Sequence, residues 1–482
     1  MRRREFLKQI SICSGAIALS PILSESVIAS PNRKHFNVLM IICDDLRPQL
    51  GCYGHPQMIT PNIDRLATEG TLFSRSYCNA QVCGPSRASV FSGLRPTNSR
   101  FVNNNVRLDH ECPDFPTLHG HFKNNGYYTL SLGKVLHTIY DANDDWSEPA
   151  WSPDWEKQGD TYLELDFRDY QTEENKVIAH NHPRKYVGPA YECADVPDDA
   201  YYDGQIADMA VYHLSRMNIK NQPFFMAVGF KKPHLPFTAP KKYWDMYDIE
   251  KIQLPDNYFK PHNAPMAAFH NWGELRNYVG IPKKGSLSDD LARKVIHAYY
   301  AATSYSDANV GKLLNALDTY GLRENTIVLL WGDHGWHLGE HTLWCKWTQF
   351  EIATRAPLIV SVPGIEEGQK TQAITEFIDL YPSLCELCGL PLPGHLEGFS
   401  FVPVLRNPKL AGDGTAFAHI GRGYSVRENH YRYAEYRDKD GEFVSRMLYD
   451  HRSDPNENLN ISEIAENQNI LTKLSKLINK KY

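Results

Sequence analysis

The stretch Phe36-Asn37-Val38-Leu39-Met40-Ile41-Ile42, followed at once by Cys43-Asp44-Asp45, decides the fold class of this chain. It is a continuous β-type run, too short for a core helix and without polar alternation, the pattern of a strand buried on both faces. Such a strand needs a sheet covered by helices. Four further runs read the same way. Residues 127–132 lead into Gly133-Lys134, 223–230 into Lys231-Lys232-Pro233-His234, and 326–331 into Gly332-Asp333-His334-Gly335; residues 356–363 form the last. Helical stretches at 62–69, 117–125, 202–218 and 288–320 fall between them. This alternation predicts a doubly wound α/β domain, a large and mostly parallel sheet flanked by helices.

From about residue 411 the pattern changes. Segments 415–436 and 446–450 are strand-like, with turns at Arg427-Glu428-Asn429 and Lys439-Asp440-Gly441, and 462–480 reads as a polar helix. A small C-terminal antiparallel sheet with one helix is therefore expected over 411–482, behind a catalytic domain at 34–410. Pro391, Pro393, Pro403 and Pro408 suggest extended linkers between the two. The 482 residues suit one large domain plus a small one. Apolar content of 42% and charged content of 22% are ordinary for a globular protein. The net charge of -6 gives no basic footprint for nucleic acid. Beyond the N-terminus nothing is long and apolar enough to span a bilayer.

Residues 1–30 read as an export signal. Met1-Arg2-Arg3-Arg4 is a basic start, 10–23 is weakly apolar, and Val27-Ile28-Ala29 offers small residues for cleavage. Arg3-Arg4-Glu5-Phe6-Leu7-Lys8 resembles a twin-arginine signal; a general secretory signal with an arginine-rich start is the alternative. Cys13, following Ile12, sits too early for a lipoprotein anchor. A bacterial periplasmic or extracellular protein is expected. Of ten cysteines all but Cys13 lie beyond the signal, an odd and scattered set without a small-domain disulfide framework. Cys385-Glu386-Leu387-Cys388 lies in an amphipathic helix closed by Gly389, and with no second pair nearby it reads as packing.

Chemistry collects where strands end, since sites in open α/β sheets form beyond the carboxyl ends. Four runs end in reactive side chains: Asp44 and Asp45, Lys134, His234, and Asp333 with His334. One such ending is ordinary turn chemistry; four with this mix of acid, base and cation are not. Asp44, Asp45 and Asp333 together would repel unless a hard divalent cation sat among them. Cys83 opens a different element. Pro85 suits a first helical turn, and 86–93 reads as a short helix of small residues. A helix N-terminus with Arg87 nearby favours an anion. From these residues alone Cys83 is either a buried structural cysteine or an activated thiolate.

Cys83-Gly84-Pro85-Ser86-Arg87, followed by a small-residue helix and Gly93-Leu94-Arg95-Pro96, resembles the signature of the formylglycine-dependent sulfatases, a family with the alkaline-phosphatase-like fold. Asp44-Asp45, Gly133-Lys134, Lys232-Pro233-His234 and Gly332-Asp333-His334-Gly335 match the family in order. The likeness spans nearly the whole mature chain. It is nearest the iduronate-2-sulfatase-like branch, through 133–137, 232–237, 335–341 and Gly423-Tyr424-Ser425-Val426-Arg427. The resemblance implies that a separate maturation enzyme oxidises Cys83 to formylglycine, which hydrates to a gem-diol. It implies one Ca²⁺ (with Mg²⁺ as the other option) held by Asp44, Asp45, position 83, Asp333 and His334, with His334 also near the sulfate. One diol oxygen attacks sulfur, giving a covalent sulfate intermediate, and the other hydroxyl expels sulfate. Arg87 and His137 would position the diol, Lys134 and Lys346 bind sulfate oxygens, and His234 protonates the leaving oxygen. His110, His119, His121, His297 and His341 are read as structural.

The substrate implied is a sulfated oligo- or polysaccharide, with removal of a 2-O-sulfate from a terminal uronic acid. Arg95, Arg107, Lys231 and Arg427 are candidate carboxylate partners, and Trp336 a stacking surface. Other sulfated-sugar specificities, a phosphodiesterase or phosphonate hydrolase of the same superfamily, and a non-catalytic glycan binder are the rival readings.

Overall fold

The computed structural model describes residues 35–153, 170–183, 187–217, 219, 222–412 and 414–482. The expected export signal at 1–30 lies outside the described residues. The opening run forms strand β1 (Asn37–Cys43), with every residue buried. Its neighbours in a seven-stranded sheet are β2 (Thr71–Tyr77), β3 (Tyr128–Gly133), β4 (Phe224–Phe230), β5 (Thr326–Gly332), β6 (Leu358–Ser361) and β7 (Gln369–Glu376). Their spatial order is β7-β2-β6-β5-β1-β4-β3. β1 pairs in parallel with β4 and β5, β3 with β4, and β7 with β2; β6 alone is antiparallel, to both β2 and β5. The sheet is thus mostly parallel, as the unbroken apolar runs require.

Two groups of helices cover it. One comprises α1 (Pro61–Thr68), α4 (Tyr202–Met217) and α6 (Asp289–Thr319); the other comprises α2 (Cys83–Ser92), α3 (Leu118–Asn124) and α7 (Leu380–Cys388). Their ends obey local rules. The Thr117 and Ser288 hydroxyls accept from the backbone N–H of Gly120 and Leu291, and Gly93 and Gly389 close α2 and α7 in the left-handed region at φ 71° and 66°. Cys385 and Cys388 are buried in α7, and all nine described cysteines carry free thiols. Among the described residues no helix is long and apolar enough to cross a membrane.

The C-terminal sheet is antiparallel, in the order β8 (Thr415–Ile420), β9 (Gly423–Glu428), β10 (Tyr431–Arg437) and β11 (Phe443–Asp450). Helix α8 (Gln468–Lys481) lays Leu471, Leu474 and Ile478, spaced for one helical face, against Val426, Tyr433 and Leu448. Three details depart from expectation. The segment 415–436, expected to turn once at 427–429, forms three strands rather than two, since Gly421 (φ 56°) makes an additional, earlier turn. α8 also begins later than 462, because Asn460 Oδ1 accepts from the N–H of Leu448 and Ser462 and keeps that stretch extended along β11. Pro403 lies in a short helix, Val402–Arg406, rather than an extended linker.

Candidate active site

Adjacent parallel strands bring their carboxyl ends together. In the order β5-β1-β4-β3 these ends supply Asp333 and His334, Asp44 and Asp45, the 231–236 loop, and Lys134. Close backbone approach fixes them. A Cβ on Gly229 would lie 1.9 Å from the Lys134 carbonyl, so only glycine allows β4 to pass the end of β3 there. Asp45 is held at φ 59°; its N–H donates to Asp333 Oδ1 (3.0 Å) and its carbonyl accepts from the Tyr299 hydroxyl (2.8 Å). Left-handed backbone at a non-glycine residue concentrates at functional sites.

Cys83 is the first residue of α2 and is buried. Its Sγ lies 3.3 Å from His334 Nε2, 3.5 Å from Lys346 Nζ and 4.0 Å from Asp45 Oδ1. Burial, reinforced by the Asp44 charge, pushes the thiol well above its usual range despite Lys346 and Lys134. An activated thiolate is therefore not what this environment favours. One turn along α2, the fully buried Arg87 donates from Nε to Asp333 Oδ2 (2.9 Å) and from Nη1 to the carbonyls of Val135 (3.0 Å) and Lys134. Its Nη2 sits 3.5 Å from Asp44 Oδ1.

Two lysines pair with the two adjacent aspartates. Lys134 Nζ donates to Asp44 Oδ2, and Lys346 Nζ donates to Asp45 Oδ1 (2.8 Å). Burial would raise the Asp44 carboxyl, but Lys134, followed by His234 and Arg87, holds it well below the usual carboxylate range. For Asp45 burial wins over Lys346, and its carboxyl is raised. Burial would lower both lysines; Asp44 instead raises Lys134, and Asp45 raises Lys346. Lys346 is buried with its ammonium 5.0 Å from the Trp336 ring centroid.

The 231–236 loop is tied down by Asp203, whose carboxylate accepts from the N–H of Lys231 (2.8 Å) and Lys232 (2.7 Å). His234 donates from Nδ1 to the Leu235 carbonyl (2.6 Å), which aims Nε2 at Asp45 Oδ2 (3.7 Å) and Glu274 Oε1 (3.0 Å). Burial alone would lower this imidazole, but Asp45 raises it, so a proton is held on Nε2. His137 is buried with Nδ1 unpartnered, and burial with the Lys134 charge beside it keeps the ring neutral, well below its usual range.

The donor set can hold a divalent cation, two of its donors being carboxylates and His334 an unusual ligand for a hard ion. Asp44, Asp45, Cys83 and His334 each offer one ligand atom, all within 4.8 Å of one another. Asp44 Oδ1 and Asp45 Oδ2 are buried without a hydrogen-bond partner. His334 donates from Nδ1 to the Gly335 carbonyl (2.9 Å), which leaves the Nε2 lone pair facing the cluster, as in metal-ligating histidines. Asp333 joins at the edge, with Oδ1 on the N–H of Asp45 and His334 and Oδ2 on Arg87.

The ten residues expected to hold the metal, bind sulfate or act in catalysis thus all lie at or beside this cluster. Glu274 was not foreseen. It sits on the short helix α5 (Gly273–Arg276), with Oε1 3.1 Å from Lys346 and 3.0 Å from His234; Lys346 and His234 overcome burial and hold its carboxyl far below the usual range. The segment before it carries no strand or recognisable motif. Three of the four expected carboxylate partners are engaged elsewhere. Arg95 is buried on Glu376, Arg107 is paired with Asp109 (2.5 Å), Arg427 is paired with Glu351 (3.3 Å), and Lys231 is buried. Trp336 is buried too and offers no face to a sugar. His119 stacks on Trp146 (3.9 Å), while His121, His297 and His341 bond to the carbonyls of Pro391, Trp244 and Asn456.

Comparison with known proteins agrees with this geometry. A family model described as Sulfatase matches residues 36–390, and one described as N-sulphoglucosamine sulphohydrolase, C-terminal, matches 339–482. The iduronate 2-sulfatase of Mus musculus is 35% identical over 395 residues, covering 74% of this chain and 69% of that protein. Among solved structures, a 2-O glycosaminoglycan sulfatase superposes with a TM-score of 0.70 at 24% identity, covering 93% of this chain and 92% of its own. The phosphonate monoester hydrolase of Agrobacterium radiobacter does so with 0.73 at 24%, covering 92% and 95%; at these identities the two share the fold. The match over 355 residues of one family model, with a relative this similar, establishes that the chain belongs to the sulfatase family and is a sulfuric ester hydrolase.

Proposed function

We propose that this sulfatase removes the 2-O-sulfate from a terminal uronic acid of a sulfated glycan, with formylglycine made from Cys83 as its nucleophile. The observation that carries the reading is the convergence of Asp44, Asp45, Cys83 and His334 within 4.8 Å, ringed by Lys134, Lys346 and His234. The kinship with an iduronate 2-sulfatase supports the substrate class.

Asp44, Asp45, Asp333 and His334, with position 83, would hold one Ca²⁺ or Mg²⁺, which when bound supplies positive charge against the sulfate oxygens. Formylglycine, once hydrated, supplies a hydroxyl nucleophile and a second hydroxyl on the same carbon, which a serine lacks. The chain's own residues do the rest. Lys134 and Lys346 now rest on the carboxylates that a cation would claim; released from them, the two ammonium groups face the sulfate in a site shut off from water, where charge-assisted contacts are strongest. His234 holds a proton at Nε2, the atom turned toward the cluster, and is placed to donate it to the departing sugar oxygen. Neutral His137 and fixed Arg87 orient the group at position 83. Export of the chain and dependence on a separate maturation enzyme belong to the same reading.

Mass spectrometry of the Cys83 peptide from active enzyme should give an aldehyde or its hydrate; a free thiol at full activity would refute the nucleophile. Turnover across defined sulfated saccharides should favour 2-O-sulfated uronides. Exclusive action on 6-O-sulfated hexosamine or choline sulfate, or a preference for phosphate or phosphonate esters, would overturn the substrate.

A further inference from the structure

Beside the cluster lies a cavity of about 420 Å³, within the size range of small-ligand sites. Its wall includes Glu274, Cys345, Trp347, Arg422 and Tyr436. It shares a wall with the reaction centre on two sides. Glu274 touches both His234 and Lys346, and Cys345 and Trp347 flank Lys346 in sequence. Cys345 and Trp347 both stand in the left-handed region, at φ 71° and 74°. That conformation is rare for bulky residues and is kept where the surroundings enforce it. Here it leaves Lys346 buried and Trp347 43% exposed on the cavity wall. An indole face open beside a catalytic centre is a surface on which a sugar ring stacks.

Arg422 stands at the turn between β8 and β9 and is exposed. Among the described residues its guanidinium makes no hydrogen bond or ion pair, whereas Arg95, Arg107 and Arg427 are already paired. Arg422 and Glu274 face one cavity without pairing, so the two charges stand apart. The cavity therefore carries an acceptor next to the reaction centre, an aromatic wall, and a cation. In a pyranose ring, the carbon bearing the 2-substituent lies across the ring from the carbon bearing a uronic carboxylate. A hydroxyl beside the sulfate would meet Glu274, and the carboxylate would be turned away from it.

We propose that this cavity holds the sulfated sugar itself, with Arg422 pairing with its carboxylate and Trp347 stacking on its ring, so that these two residues select a uronic acid. The assignment rests on the substrate reading above. Arg422→Ala, Arg422→Lys and Trp347→Ala are compared on a 2-O-sulfated uronide disaccharide, its carboxyl-reduced counterpart and 4-nitrophenyl sulfate, whose turnover reports a folded and matured site. For Arg422→Ala, kcat/KM on the uronide relative to the aryl ester falls by about tenfold to a hundredfold, the range of a charge-assisted hydrogen bond, mainly through KM. The carboxyl-reduced sugar loses far less, and Arg422→Lys recovers part of the deficit. Trp347→Ala lowers both sugars relative to the aryl ester. Equal losses with and without the carboxylate, or none, overturn the assignment while leaving the substrate reading intact. Wild-type enzyme that turns over the aryl ester but neither sugar overturns the substrate reading, and this assignment with it.

Discussion

Replacing Arg87 by lysine tests whether the site is held together by geometry or by charge alone. The guanidinium lies fully buried among the ends of β1, β3 and β5, and it serves Asp333 Oδ2 at 2.9 Å, Asp44 Oδ1 at 3.5 Å and the carbonyls of Lys134 and Val135. A lysine ammonium keeps the charge but is a point on a shorter stem, and it cannot reach carboxylates and carbonyls lying along different edges of a planar fork. About two acceptors are then left buried and unpaired, at about 1–3 kcal/mol each, so unfolding free energy should drop by about 2–6 kcal/mol. Arg87→Ala removes the charge as well and should cost about 3–5 kcal/mol, since Asp333 is left buried without its partner. Urea unfolding of chelator-treated protein, followed by tryptophan fluorescence, measures this without interference from a bound cation. Turnover should fall in the lysine variant too, because Asp44, Asp333 and the end of β3 lose their common tether. An Arg87→Lys protein within about 0.5 kcal/mol of wild type, the range of ordinary surface substitutions, and with unchanged kcat would refute the argument.

Three further outcomes follow from buried groups elsewhere. Burial pushes Asp141, which accepts from the N–H of Leu108 (2.7 Å), up to about 7 from an ordinary 3.8. The folded state therefore keeps a proton that the unfolded chain has lost between about pH 4 and 7, and stability falls as pH rises through that window by up to about 4 kcal/mol. Asp141→Asn should remove this part of the slope, so that its gain over wild type in urea unfolding grows from pH 5 to pH 8; a constant difference would contradict it. Arg95→Met should cost about 3–5 kcal/mol by removing the cation from buried Glu376, while Arg95→Met with Glu376→Gln, which keeps an acceptor for Asn79 and Phe417, should recover part of that in a double-mutant cycle. Gly229→Ala should unfold or strongly destabilise the protein and displace Lys134, since the new methyl would overlap the Lys134 carbonyl; wild-type melting and activity would be inconsistent with the strand approach described.

What the sequence made legible has a physical basis. Strands β1, β4, β5 and β6 could be read because a strand buried on both faces has no polar alternation to blur it. The same uniformity hid the direction of β6, since antiparallel and parallel strands in the middle of a covered sheet bury the same surface. β7 was missed for the opposite reason. It is an edge strand, Gln-Lys-Thr-Gln-Ala-Ile-Thr-Glu, whose first half is polar and partly exposed. β2, Thr-Leu-Phe-Ser-Arg-Ser-Tyr, interrupts its apolar run with Ser74 and Arg75.

The site divides along the same line. Asp44, Asp45, Lys134, His234, Asp333 and His334 were visible because each follows a strand, and in parallel strands sequence position fixes which end of the sheet a residue reaches. Glu274 and Arg422 follow no such rule. One sits on a four-residue helix and the other on a two-residue hairpin turn, and only the packing of both against the segment around Lys346 places them in the same cavity. This separation has a chemical counterpart. The strand ends, with Cys83 and Arg87 on α2, hold most of the groups proposed to act on the sulfate ester, whereas the loops hold those proposed to tell one sugar from another. Loops can exchange an arginine for a neutral residue without disturbing a strand. The four strand ends have no such freedom, because Arg87 and the close approach at Gly229 tie their positions to one another. On the proposed reading, the reaction class is accordingly written mainly in the periodic part of the sequence, and the substrate in its aperiodic part.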